Sequence, residues 1–382
     1  MRTLTALLLL VGAGAIGTSA SARPSTPLPP SAPCSNATVL SSWPLARLAN
    51  QTIVVPAQET QLASLVPAAR AGYGGVILFG TSAPSGIALQ LERLRGDVPG
   101  RAGLLVMTDE EGGGVQRMAN LVGSIPWAAR MGATMTPAEI GALARKVGAK
   151  MARYGVNVDL APVLDVDGRA VAPGPQDPDG FRSFSGNLKK VEADGVAFAR
   201  GLMAAHVTPV VKHFPGLGGA TGNTDDGPVD TLPWRRLESG ALPAFAAAVK
   251  AGIPAVMVSN AIVPGLTSGM PASLSSKVAT GELRDKLGFK GLIITDSLSA
   301  MAISGAPLSL TVPEASLRAL EAGADMVLFG PASSTRNALA LAGDIARAVT
   351  AGVSSGKLSR PLLVADAGRV MTAKGIDLCP TR

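Results

Sequence analysis

Few side chains in this chain have the type and spacing for bond-making chemistry, and most sit where an apolar run ends. Val210-Val211 climbs out of a β-branched segment and delivers Lys212 and His213, after which Phe214-Pro215-Gly216 turns the backbone. The sequence holds only two histidines, and the other, His206, reads as structural at a helix end before the same strand. A Gly-rich loop with an acidic tip follows, carrying Asn223, Thr224, Asp225 and Asp226. Asp296 closes the apolar run Leu292–Thr295, and Asp109 closes Leu104–Thr108 in the same way. A buried strand rarely ends in a carboxylate without a partner, because an isolated charge is costly to bury. Arg117 and Arg182 are available as cationic partners. Carboxylates, one Lys, one His and two Arg suit a polyhydroxylated ligand, whose hydroxyls need both donors and acceptors. Two carboxyl groups about 5 Å apart are the requirement of a retaining glycosidase.

Something must hold these groups on one face. Eight short apolar runs are expected as strands: Thr52–Pro56, Gly75–Phe79, Leu104–Thr108, Val156–Leu160, Thr208–Lys212, Ala255–Ser259, Leu292–Thr295 and Met326–Phe329. Near-continuous apolar runs fit parallel strands covered on both faces. Helical spacing fills the gaps, for example at Pro137–Tyr154, Leu188–Ala205 and Pro313–Ala322. Thr136-Pro137 reads as an N-cap followed by proline at the first helical position, and Gly252 and Gly323 read as helix stops. Eight βα units predict an α/β fold, a single-domain (β/α)8 TIM-like barrel, with active-site groups at the carboxyl ends of the strands. Those ends carry Asp109, Asp159, Lys212, His213, Ser259 and Asp296. A doubly wound open sheet is the alternative, but no Gly-rich phosphate loop follows the first strand.

The termini read differently. Arg2, the apolar run Leu4–Ile16 and Ala20-Ser21-Ala22 read as a signal peptide over residues 1–22. Cys34 lies too far beyond that run to serve as a lipid anchor. Residues 23–44 read as a Pro/Ser-rich tether, and 45–382 as the barrel domain. A hydrophobic content of 47% with 16% charged residues excludes disorder. The formal charge of +7 reads as a mildly basic surface, or as attraction to an anionic envelope. No cationic stripe interleaved with aromatics points to nucleic acid. The two cysteines, Cys34 and Cys379, are expected to pair in an oxidising compartment. They and two separated histidines offer no metal-ligand cluster, so no metal is expected. After signal removal the protein is expected to lack a membrane span and to act as a secreted or envelope-associated monomer on a carbohydrate.

Six motifs occur in one order: Asp109-Glu110-Glu111-Gly112-Gly113 with Val115-Gln116-Arg117, Leu160–Asp165, Arg182-Ser183-Phe184, Lys212–Gly216, Pro271–Ser275 and Ile294–Leu298. Together, over residues 45–375, they resemble glycoside hydrolase family 3, in particular its single-domain β-N-acetylglucosaminidase branch. The resemblance implies no cofactor. It implies that Asp296 is the nucleophile of a covalent glycosyl-enzyme. It also implies that Asp109, Arg117, Arg182, Lys212 and His213 grip the sugar. In that branch the loop after Lys-His-Phe-Pro-Gly usually carries an Asp-Ser-His triplet whose His is the general acid/base. Here the aligned residues are Asn223-Thr224-Asp225, and the loop has no histidine. Asp225, or Asp226, then serves as acid/base, or the chain is a weak hydrolase, or it binds glycan without turnover. An envelope scaffold that holds to the cell wall independently of the pocket is the non-enzymatic alternative.

Overall fold

A strand buried on both faces has to find a parallel neighbour on each side, and eight such strands do so by closing on themselves. The computed structural model describes residues 34–100 and 102–379. Its barrel strands are β1 (Ile53–Gln58), β2 (Gly75–Phe79), β3 (Leu105–Thr108), β4 (Val158–Asp159), β5 (Thr208–Phe214), β6 (Ala255–Val258), β7 (Leu292–Ser297) and β8 (Met326–Leu328). All eight neighbouring pairs are parallel, and β1 joins both β2 and β8, so the sheet has no edge. All eight expected strands are present, and the (β/α)8 architecture is as read from the sequence.

The helices form where their caps predict. Thr136 caps Pro137–Arg153 in a reciprocal box with Glu139, and Thr311 does the same with Glu314 for Val312–Ala322. Each box satisfies donors that the first helical turn leaves open. Val312–Ala322 stops at Gly323, whose φ of 108° is readily adopted only without a side chain. The helices shield a core that is continuous with the barrel strands. At the amino ends of β7 and β8, buried Asp325 accepts from Ile293 N at 2.6 Å and pairs with Arg284 and Arg369. This lock lies at the end of the barrel opposite the site described below. Among the described residues no helix is long and apolar enough to cross a membrane.

One boundary needs correction. The expected tether ran to residue 44, but Asn36–Ser41 is a helix, Leu40 is fully buried and Trp43 lies in the core. These two apolar side chains recruit the segment to the last helix, Arg360–Ala373. Asn36 clamps the far end of the chain, donating to Ile376 O and accepting from Leu378 N, both at 2.7 Å. From Ser35 onward the chain is one packed unit. Cys34 and Cys379 are both disulfide-bonded, in agreement with the expected pairing. The expected signal peptide, 1–22, and the first part of the tether lie outside the described residues.

Candidate active site

The carboxyl ends of the strands converge on a cavity of about 510 Å³. That is within the range of about 300–1,000 Å³ usual for ligand clefts. Asp109, Arg117, Arg182, Lys212, His213, Asp225 and Asp296 all line it. The structure thus brings these seven side chains together, whereas Asp226, the alternative acid/base, does not line the cavity. Two other strand-end residues do not reach it. Asp159 is fully buried and accepts from Glu110 N at 2.9 Å, and Ser259 is fully buried under the β6 end. They fail for the same reason: each side chain points into packed structure rather than the cleft.

The wall of the cavity is an alternating ion network. Lys212 Nζ lies 2.8 Å from Asp109 Oδ1 and 2.6 Å from Glu111 Oε1. Arg182 closes on the same Glu111 with both arms of its fork, Nε to Oε2 at 2.8 Å and Nη2 to Oε1 at 2.9 Å. This bidentate geometry is the strong form of a charge-assisted pair. Burial alone would raise the Glu111 carboxyl, but Arg182 and Lys212 outweigh it and hold the group well below the usual carboxylate range. Burial would likewise lower Lys212, and Asp109 with Glu111 overcome it, so the ammonium is held charged. Arg117 approaches Asp109 Oδ2 at 3.8 Å from the outer side.

Glu111 was not singled out by the sequence reading, although it joins two grip residues. The signal was there. Residues two apart on extended backbone point the same way, so Asp109 and Glu111 share a face and Glu110 turns inward. Glu110 instead organises the hairpin Glu110–Gly112/Val115–Gln116. It accepts from Arg117 N at 2.7 Å, Met118 N at 2.6 Å and Gln116 Nε2 at 2.9 Å. Gly113 sits at the tip with φ 57°, and a Cβ there would lie 1.9 Å from the Trp127 ring.

A second group missed at first supports His213. The chain runs on from β4 beside β5, with Lys212 N donating to Pro162 O at 3.2 Å and Leu164 N donating to Lys212 O at 2.6 Å. That register sets Asp165 beside His213. Asp165 Oδ2 lies 2.6 Å from His213 Nδ1, and Asp165 also accepts from the backbone N of His213 and of Leu217. On the other ring nitrogen, Arg182 Nη2 comes within 3.4 Å of Nε2. Arginine only donates, so Nε2 accepts and the ring proton sits on Nδ1. Burial, then Arg182, pushes the imidazole down to about 4, so the ring is neutral near pH 7.

Asp296 is half-buried at the end of β7, and its Oδ1 accepts from Ser297 N at 2.7 Å. The strand end is braced from β6: Asn260 Nδ2 donates to Ser297 O, and Ser273 Oγ donates to Asn260 Oδ1, both at 2.7 Å. Thus the Pro271–Ser275 motif supports the carboxylate from a distance. Asp225 lies exposed at the cavity mouth. Its loop is tied by main chain on two sides. Asn223 N donates to Pro175 O at 2.8 Å, while Met301 N and Ala302 N, just past β7, donate to Asp225 O at 3.4 Å and Thr224 O at 3.0 Å. Partial burial raises the Asp225 carboxyl, Asp226 raises it further, and Arg182 opposes both. Gly218, at the root of this loop, has no room for a side chain, because a Cβ would meet Val166 O at 2.2 Å.

Known proteins are similar to this chain in sequence and in fold. The family model of the glycosyl hydrolase family 3 N-terminal domain matches residues 53–373. The chain is similar to a beta-hexosaminidase, LpqI, of Mycobacterium tuberculosis, with 40% identity over 233 residues, 59% of this chain. The match spans 58% of that relative's length, less than two thirds. It superposes on the crystal structure of a family 3 glycosyl hydrolase from Mycobacterium smegmatis with a TM-score of 0.78 and 34% identity, covering 88% of this chain and 99% of the other. On a beta-N-acetylhexosaminidase from Beutenbergia cavernae the TM-score is 0.77 at 31% identity, covering 88% of this chain and all of the other. The chain, from its barrel to the Lys212–His213 strand end, therefore belongs to glycosyl hydrolase family 3.

Proposed function

We propose that the protein is an exported retaining glycosidase that releases terminal β-linked N-acetylglucosamine from peptidoglycan-type or related glycans. Asp296 is its nucleophile and Asp225 its acid/base. One observation carries this reading: both carboxyl groups line a single cavity, beside the neutral grip of Asp109, Glu111, Lys212 and Arg182. An Asp296 oxygen forms a bond to the anomeric carbon as the bond to the leaving oxygen breaks, and Asp225 gives that oxygen its proton. Water then attacks the same carbon, Asp225 takes the water proton, and Asp296 is released. Arg117, Arg182 and Lys212 supply donors for the sugar hydroxyls, Asp109 supplies acceptors, and His213 offers Nε2 as a further acceptor. The names of the hexosaminidase relatives support a β-linked amino sugar. The disulfide supports an oxidising compartment and hence export.

The test compares wild type with Asp225→Ala on an aryl β-N-acetylglucosaminide and on a natural disaccharide. With the activated aryl group little protonation is needed, so the variant should lose far more on the disaccharide, about a hundredfold or more. Added azide should restore turnover and give the β-glycosyl azide. Equal rates for variant and wild type on both substrates would remove Asp225 from the role. A wild type that binds glycan by calorimetry yet turns over neither substrate would make the chain a glycan-binding pseudoenzyme. Activity confined to β-glucosides or β-xylosides would move it to that part of the family.

The raised Asp225 carboxyl also fixes a sign. A general acid works only while protonated, so activity declines as pH rises through its pKa. Asp226→Asn removes the neighbouring like charge. The alkaline limb of kcat/KM is therefore expected to move to lower pH in that variant, measured from about pH 4 to 8 on the disaccharide.

A further inference from the structure

Behind His213 lies a polar cluster that the hydrolytic steps do not use. One oxygen each of Asp165 and Asp179 and one ring nitrogen of His213 lie within 4.8 Å of one another. Both aspartates have zero exposure. They are treated very differently by their surroundings. Asp165 accepts from two backbone N–H groups and from the imidazole. Neither oxygen of Asp179 receives a hydrogen bond from any donor. Its nearest carboxyl neighbour is Asp165, with one oxygen of each within 4.8 Å of the other. Two carboxyl groups can share a hydrogen bond only if one carries a proton. Asp165 is saturated with donors and is better off as the anion, whereas Asp179 would be a buried charge with nothing to solvate it.

From this geometry, and resting on the reading of the cavity as a sugar pocket, we infer that Asp179 is a neutral carboxylic acid that donates its proton to Asp165 and thereby positions His213. The other charged groups around it fit. Asp179 sits on the loop that carries Arg182, and Arg182 N donates to its backbone O at 2.8 Å. Asp177, two residues before, is occupied by Arg169 at 2.8 Å and by the backbone N of Asp179 and Gly180. Asp167 is likewise paired with Arg169. Arg182, the loop cation that opposes the upward shift of Asp179, is committed to Glu111. Burial, then the Asp165 charge, pushes the Asp179 carboxyl well up, while burial raises Asp165 to about 6. Loss of the Asp179 proton would add a second negative charge beside the ring. The imidazole would then gain a proton, and its Nε2 would cease to accept and would repel Arg182. A metal ion in this cluster is disfavoured by the same contacts, since the Asp165 lone pairs are already engaged.

The test uses Asp179→Asn, which keeps a donor and no charge, and Asp179→Ala, which keeps neither. Asp179→Asn is expected to retain at least about a third of wild-type kcat/KM, and Asp179→Ala to raise KM about tenfold to a hundredfold. A purely structural role would not predict the second readout, thermal unfolding against pH. A carboxyl whose pKa is raised on folding binds its proton more tightly in the folded state. Stability is then greatest below the unfolded value of about 3.9 and is lost as pH rises toward the folded value. The unfolding temperature of Asp179→Asn minus that of wild type should therefore grow from about pH 4 to 8. Independently of either variant, nitrogen NMR of wild-type histidine should show His213 neutral with its proton on Nδ1 across that range. His206→Gln separates the two signals. An imidazolium at His213, or an unfolding difference flat with pH, overturns the inference. So does an Asn variant as damaged as the Ala variant. The unfolding and NMR arms need no substrate, so they decide the protonation even if the protein hydrolyses nothing, and glycan calorimetry then replaces KM.

Discussion

Asp296→Ala is expected to lower kcat by about four orders of magnitude or more on both the aryl glycoside and the disaccharide. The loss falls on kcat because, in the proposed mechanism, the substituted group is the one that makes the new bond. Ground-state binding rests on Lys212, Arg182, Asp109 and Arg117, which keep their partners in the variant. Folding should be nearly unaffected, since Asp296 is only half-buried and its one recorded hydrogen bond is to its neighbour Ser297. Azide added to this variant attacks the anomeric carbon from the vacated side and gives the α-glycosyl azide. The Asp225 variant should give the β product, so the two carboxyl groups are told apart by the stereochemistry of one assay. Retention of wild-type turnover by Asp296→Ala, or the same azide anomer from both variants, would refute the assignment.

Lys212→Met should be the most damaging change in the pocket wall. The ammonium is buried and sits between two carboxylates. Removing it leaves Glu111 still forked by Arg182 but strips Asp109 of its close partner, with Arg117 at 3.8 Å the nearest replacement. Breaking a buried pair from one side costs about 3–5 kcal/mol. The loss should appear as a fall in the urea midpoint, together with a large rise in glycan Kd. The double variant Lys212→Met/Asp109→Asn tests the cause. Neutralising the orphan should recover much of the stability while binding stays lost, because the sugar still lacks both groups. Additive losses in the double variant would show that the pair is not coupled.

The barrel was readable because its strands are short runs of Val, Ile and Leu broken by Gly and Pro, and burial on both faces leaves no other pattern. Asp109, Lys212, His213 and Asp296 were readable because they sit where those runs stop. Asp159 and Ser259 stand at strand ends too, yet they face packed structure, a distinction that needs the barrel's register and not its sequence. Glu111 was within reach through the two-residue repeat of extended chain. Asp179 was not, because its partners Asp165 and His213 are brought to it by an irregular loop with no periodicity to read. The start of the domain was misplaced because a Pro/Ser-rich stretch leads directly into Leu40 and Trp43, and two apolar side chains are enough to pull a short helix onto the barrel.

The loop over the cavity mouth is moored by peptide groups alone, to Pro175 on one side and to the turn after the nucleophile strand on the other. Such moorings are blind to the side chains between them. The course of the loop along the cavity that Asp296 also lines is thus set by main-chain bonds, which do not depend on the side chain carried at position 225. On the proposed mechanism, the place of proton delivery is then a property of the backbone, and the identity of the proton carrier is a separate, replaceable part.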